Sequence, residues 1–161
     1  MKSVLLTGVL GLAVVGTAAE ARADCQHVRG SDVETIIPSP NDPLGRVLGI
    51  VDGVLSGAST AFLTSESVDG LSATSFDVFV TKRGDILTAT GAVTLTPVPD
   101  SSSEFTETAI LTITGGSGAY NGAIGTIRLE GRGLFDSAGG GTFDVIYHGS
   151  VCGPNLEHDR R

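Results

Sequence analysis

From Leu44 onward glycine, threonine, valine and isoleucine dominate this chain in short runs, and in the last three runs apolar and polar residues alternate with a period of two, the pattern of half-buried β-strands. Seven such runs are separated by turn-forming residues, and no stretch carries apolar residues at helical spacing. Regularly spaced short strands without helices between them predict an antiparallel sandwich or barrel. The predicted strands cover residues 46–55, 58–65, 75–81, 86–96, 104–114, 123–133 and 142–152.

The alternation also assigns the two faces of the last three strands. In 104–114, Phe105, Ala109 and Leu111 share a face with Glu107, whereas threonines dominate the other face. One apolar and one polar face on each strand predicts a closed or nearly closed small barrel, and closure removes exposed sheet edges. The apolar face of the last two strands carries Ile127, Leu129, Phe143, Val145, Tyr147 and Val151.

The two ends of the chain differ from this pattern. Residues 1–23 combine Lys2, an apolar run over 4–19 and a small-residue site at 21–23, which predicts a cleaved signal peptide. A retained anchor is the alternative, but the run is short for a membrane span. Residues 24–43 contain three prolines and predict an N-terminal arm, 44–152 the barrel domain, and 153–161 a disordered tail. We therefore expect an exported protein, periplasmic or extracellular, without membrane insertion after cleavage.

Cys25 and Cys152 are the only cysteines, and they lie near the two ends of the predicted mature domain. An exported protein meets an oxidising compartment, so we predict a disulfide between them. Closing so long a loop contributes ~4–5 kcal/mol in the chain-entropy model. Two unpaired thiols or a metal pair are the alternatives.

Charge and motifs exclude several classes of function. The chain has 18 acidic against 10 basic residues and a net charge of −8, which argues against binding to nucleic acid or anionic lipid. His27, His148 and His158 lack the spacing of metal ligands, so we expect no metal site and no cofactor. No nucleophile–base–acid set is visible in the sequence.

A glycine-rich stretch over 115–122 superficially suggests a phosphate-binding loop. The dinucleotide pattern needs a third glycine where Asn121 stands, and it needs a helix afterwards, whereas residues 123–133 have a strand pattern. We therefore predict a hairpin in which glycines supply positive φ and Tyr120 packs over the turn.

Residues 113–120 and 122–125 resemble the glycine hairpin of the allene oxide cyclase-like barrels, the dirigent-like group included. Ser117 stands where those proteins typically have threonine, and Tyr120 where they have an aromatic residue. Residues 82–89 and 147–152 also resemble exported bacterial members. The resemblance covers residues 45–152 and implies an eight-stranded antiparallel barrel with a central cavity, often oligomeric. Plant members cyclise an unstable epoxide or steer phenoxy-radical coupling, but their catalytic residues do not match this chain one by one.

Two inward-facing polar residues are the candidates for ligand contact, Glu107 and Tyr147. Burial in a cavity would raise the pKa of the Glu107 carboxyl and let it act as acid or base. Alternatively, Glu107 reaches solvent at the strand entrance, or a bulge shifts the register. Tyr147 either lines the cavity or belongs to the core with its hydroxyl capped by one hydrogen bond. Asp77 alternates with Phe76 and Val78, which predicts a solvated carboxylate.

The sequence thus predicts an exported β-barrel that binds or steers a small apolar molecule without a cofactor. The first alternative is a cofactor-independent isomerase or cyclase that uses Glu107 and Tyr147 as the polar groups of an apolar pocket. The second alternative is a structural protein of the cell surface. The resemblance also allows a homo-oligomer.

Overall fold

The computed structural model describes residues 24–39 and 42–156, which form a closed barrel of eight antiparallel strands. Each strand pairs with the next along the chain, and β1 pairs with β8 to complete the circle. The predicted fold class is therefore confirmed. The strands are β1 (Asp24–Ser39), β2 (Asp42–Gly53), β3 (Gly57–Glu66), β4 (Ser72–Thr81), β5 (Ile86–Pro97), β6 (Glu104–Ser117), β7 (Ile124–Phe135) and β8 (Gly141–Gly153).

The strand that the hydrophobic pattern missed is β1. Residues 24–39 were expected to form an arm, but they pair along their length with β2 and β8. Asp32 and Glu34 face the barrel interior, whereas Val33 and Ile37 are exposed on the outside. Because both faces of this strand mix polar and apolar residues, the alternation hides the inward face. The predicted signal peptide, residues 1–23, lies outside the described residues.

A disulfide between Cys25 and Cys152 joins the first and last strands, as predicted. The two cysteines are directly opposite each other in the β1–β8 pairing. The bond therefore fastens the seam at which the barrel closes.

The end of the barrel that carries the disulfide is filled by side chains. Leu55 and Val151 are fully buried there, and Tyr120 is 6% exposed beneath the glycine turn. Asp85, in the β4–β5 turn, accepts a hydrogen bond from the Ala119 amide at 3.0 Å. The turn contains one three-residue 3₁₀ helix, Gly118–Tyr120, and strand β7 follows it, so the turn is a hairpin and no α-helix follows it to bind a phosphate.

The chain beyond β8 differs in part from the predicted disordered tail. Gly153 ends β8, and Leu156 is 5% exposed within the hydrophobic core. Residues 157–161 lie outside the described part of the chain. None of the described segments forms a helix long and apolar enough to cross a membrane.

Candidate functional site

The opposite end of the barrel opens into a cavity of about 460 Å³. Its mouth is bordered by Leu44 near the start of β2, by Gly70 in the β3–β4 connection and by Gly139 in the β7–β8 connection. Phe135 stiffens one wall, because its ring makes edge-to-face contacts with Phe105 at 5.3 Å and with Phe143 at 5.4 Å. The apolar walls also include Ile36, Val47, Leu63, Val93, Leu95 and Leu129.

Four carboxyl groups converge inside the barrel, and we call them the acidic cluster: Asp32, Glu34, Asp77 and Glu107. Glu34, Asp77 and Glu107 line the cavity. Asp32 lies two residues deeper than Glu34 on the inward face of β1 and is 1% exposed. Within the described ranges, no lysine, arginine or histidine lines the cavity. The cavity therefore has apolar walls, and the acidic cluster at its inner end has no positively charged partner in the described lining.

Two members of the cluster are held by serines, one of them two strands away and the other on the same strand. The Ser59 hydroxyl of β3 donates a hydrogen bond to Asp32 Oδ2 at 2.6 Å. The Ser75 hydroxyl of β4 donates to Asp77 Oδ2 at 2.8 Å. These bonds fix the direction of both carboxyl groups and stabilise their charged forms.

A glycine makes room for each of these carboxylate–serine pairs. A Cβ atom at Gly49 would lie 2.0 Å from Ser59 Oγ and 2.3 Å from Asp32 Oδ1. A Cβ atom at Gly91 would lie 2.1 Å from Ser75 Oγ. All three distances are far below van der Waals contact, so any larger residue would displace the pair. Two inward glycines on β2 and β5 are thus part of the site's construction.

Burial raises the pKa of every member of the acidic cluster, and repulsion by neighbouring carboxylates adds to this at Glu34 and Glu107. Desolvation is the main cause at Glu107, and repulsion by Asp32 and Asp77 adds to it, bringing its pKa to about 7. Desolvation raises the pKa of Asp77 to about 6 against the lowering effect of its serine bond. The pKa of Glu34 is raised well above its usual value by desolvation and then by the other three carboxylates. The cluster therefore holds protons up to near-neutral pH.

Two of these carboxyl groups keep unused hydrogen-bonding capacity. Asp32 Oδ1 is buried and has no hydrogen-bond partner among residues 24–39 and 42–156. The carboxyl of Glu107 is 8% exposed and receives no hydrogen bond from this same part of the chain. Buried carboxylate oxygens normally have partners, so Asp32 Oδ1 marks a place where a donor is missing.

Glu107 and Tyr147, which the sequence analysis proposed as joint ligand contacts, lie in different parts of the barrel. Glu107 lines the cavity, and the β6–β7 register runs without a bulge from Glu104 to Ile113. Tyr147 is 2% exposed at the filled end and is absent from the cavity wall. Its hydroxyl donates to the Asp52 carbonyl at 2.8 Å and accepts from the Leu55 amide at 2.9 Å. Tyr147 is therefore a core tyrosine, and the predicted ligand contact does not fit its position.

The prediction of a solvated Asp77 is wrong. Asp77 is 8% exposed and faces inward, whereas Phe76 and Val80 are 39% and 41% exposed on the outside. Phe76, Val78 and Val80 of β4 alternate on the outer face, whereas Phe79 is 3% exposed inside, so both faces of β4 carry apolar residues and the sequence pattern does not identify the inner one. Asp32 and Glu34 were missed for the same reason on β1. Their spacing of two within a β-branched run is the signal that would place both on one strand face.

Comparisons with known proteins leave the family open. No protein-family model and no curated protein matches the chain. Among solved structures, the pterocarpan synthase dirigent protein GePTS1 is similar over 81% of this chain and 85% of its own, at 10% identity and a TM-score of 0.35.

Proposed function

We propose that this barrel binds a small, largely apolar molecule in its open cavity and holds or steers it without a cofactor. The observation that carries the proposal is the cavity itself, at about 460 Å³ within a barrel whose other end is filled. Ligand sites typically have volumes of roughly 300–1,000 Å³, apolar walls and a few convergent polar groups. The cavity has all three properties.

Titration with the neutral fluorescent probe N-phenyl-1-naphthylamine tests this function. We expect a saturable fluorescence increase at one probe per barrel. Val93→Trp fills the cavity from β5 and should abolish the increase, whereas Thr94→Trp on the exposed face of that strand should retain it. Equal probe binding by both variants, or none by the unaltered protein, would overturn the proposal.

A cofactor-independent isomerase or cyclase is the second candidate, and the Glu107 carboxyl favours it. A group with a pKa of about 7 is present in both protonation states near neutral pH, as a general acid–base catalyst requires. We would follow the isomerisation of styrene oxide to phenylacetaldehyde, in which a proton is donated to the epoxide oxygen and later returned. Glu107→Gln should lower the rate ~10²–10⁴-fold, whereas exposed Glu104→Gln should not. Equal rates would remove this candidate.

We also propose that the chain belongs to the allene oxide cyclase-like barrels and is exported. The glycine stretch that carries the resemblance forms the β6–β7 connection, and a disulfide persists in oxidising compartments. Intact-mass measurement of the protein from a cell envelope or medium fraction should give a chain without residues 1–23 and with two protons fewer than the reduced form. A full-length cytosolic product would contradict export. The homo-oligomer stays a prediction, which light scattering would test.

A further inference from the structure

The acidic cluster has no positively charged partner among the residues that line the cavity. Three carboxyl groups of the cluster border the same space with Glu66 at its rim, Asp32 lies beneath them, and the lining from residues 24–39 and 42–156 contains no basic side chain. An anionic ligand would be repelled by this arrangement, and a neutral one would leave it uncompensated. Once these carboxyl groups ionise, the electrostatics of the cavity therefore select for a cation.

A second, independent observation is the unpartnered oxygen of Asp32. Asp32 is 1% exposed, its Oδ2 is occupied by Ser59, and its Oδ1 has no hydrogen-bond donor in the described structure. That oxygen lies over the inward surface of Gly49, inside the barrel. A buried carboxylate oxygen without a donor is unfavourable unless a ligand supplies one.

We propose that the molecule held in this cavity carries a protonated amine attached to an apolar body, with the amine seated in the acidic cluster. This inference rests on the proposed function and adds the chemical class of the ligand. An ammonium group has three donors, which suits several carboxyl groups that converge from different strands. The apolar body matches the walls formed by Val93, Leu95 and Phe135.

A bare metal ion fits this site less well than an organic cation. Within the described ranges, no group of three or more histidine, cysteine, aspartate or glutamate residues is arranged to hold a metal. A metal ion would also leave the apolar walls of a cavity of about 460 Å³ without contact. An amphiphilic amine would pair its charge with the acidic cluster and pack its apolar body against the cavity walls.

The proposal has a signature in its dependence on pH. The titratable groups that face the site are Asp32 and Glu34 of β1, Asp77 of β4 and Glu107 of β6, with Glu66 of β3 at the rim. The described lining from β2, β5, β7 and β8 adds none. Because the pKa of Glu107 is about 7, the cluster gains charge between pH 5 and 8, while an alkylamine stays protonated. Affinity for the amine should therefore rise over this interval, with release of protons on binding.

Three probes with one hydrocarbon chain and different head groups separate charge from apolar contact. Octylamine, octan-1-ol and octanoate are each used to displace N-phenyl-1-naphthylamine from the purified protein. At pH 8 we expect octylamine to bind about tenfold tighter than octanol or better, which is ~1.4 kcal/mol, and octanoate to bind weakest. The preference for the amine should shrink at pH 5.

Variants locate the source of that preference. Glu107→Gln and Glu34→Gln should each reduce the octylamine-to-octanol ratio severalfold while octanol binding persists. Glu104→Gln removes an exposed carboxyl from the same strand as Glu107 and should leave the ratio unchanged. The two inward substitutions serve as alternatives to each other where one of them impairs folding, which circular dichroism would reveal.

The outcomes distinguish this inference from the function beneath it. If octanol and the fluorescent probe bind but octylamine binds no better, the cationic ligand is refuted and the apolar cavity site stands. If the amine preference survives both inward substitutions, the attraction arises from the acidic outer surface and the inference is refuted. If none of the probes binds, the proposed function fails as well.

Discussion

At the scale of single residues, the acidic cluster provides polar groups for a ligand, but its buried carboxyl groups lower the stability of the folded state when they are charged. Glu107 has a folded-state pKa of about 7 against an ordinary value of 4.5. A raised carboxyl pKa means that the folded state binds the proton more tightly than the unfolded state does. This contribution to stability is fully present below pH 4.5 and is lost as pH rises towards 7. At pH 8 the charged, buried carboxyl destabilises the barrel.

Substituting Glu107 by Gln should therefore stabilise the ligand-free protein at pH 8 but not at pH 4. The rise in pKa from 4.5 to about 7 corresponds to a gain on the order of 3 kcal/mol in the free energy of unfolding at pH 8. Urea denaturation at both pH values measures this difference. Glu104→Gln on the same strand is exposed and should change stability by less than about 0.5 kcal/mol. A loss of stability at pH 8 would show that the carboxylate is compensated in the folded state.

Gly91 provides a second residue-scale prediction, because its missing side chain accommodates a carboxylate–serine pair. A Cβ atom there would lie 2.1 Å from Ser75 Oγ, so Gly91→Ala should lower the free energy of unfolding by about 1–3 kcal/mol through overpacking. Ser75→Ala removes the clashing oxygen. The double variant should therefore be less destabilised than the sum of the two single variants. Additive losses in a denaturation series would contradict this steric account.

At the scale of strands, the sequence predicted seven elements well and missed one. β6, β7 and β8 alternate cleanly, so their buried faces, including Leu111, Ile127 and Val145, were assigned correctly. β1 could not be recognised, because its inward row mixes Asp32 and Glu34 with apolar residues while Val33 and Ile37 point outward, so neither face is consistently apolar. The sequence pattern fails where the interior is polar, and that polar interior is the candidate site. In β4, apolar residues on both faces concealed Asp77 in the same way.

The seam between β1 and β8 yields a prediction at this scale. The Cys25–Cys152 bond spans 127 residues of sequence, and restricting the unfolded chain over that length contributes ~4–5 kcal/mol in the entropy model. The Cys25→Ser/Cys152→Ser double variant should lose about 4 kcal/mol in urea denaturation, and reduction of the unaltered protein should give the same loss. A loss below about 1 kcal/mol would mean that strand pairing alone fastens the seam.

At the scale of the whole molecule, the barrel is divided into a filled half and an empty half. Core side chains, the Tyr147 hydrogen bonds and the disulfide stabilise one end. The other end leaves about 460 Å³ open and collects the destabilising carboxyl groups. Binding sites commonly sacrifice stability in this way. The filled half therefore stabilises the fold, and this offsets the destabilising effect of the carboxyl groups in the open half.

Filling part of the cavity should raise the free energy of unfolding and weaken ligand binding. Ala61 lines the cavity on β3, and Ala61→Leu adds apolar atoms that gain about 0.8 kcal/mol per buried methylene. We expect a net gain of about 1–2 kcal/mol in the free energy of unfolding, together with weakened binding of N-phenyl-1-naphthylamine. Ala58→Leu places the same side chain on the exposed face of β3 and should change neither property. A destabilised Ala61→Leu variant would show that the cavity is rigidly shaped at this position, whereas unchanged probe binding would move the ligand site away from β3.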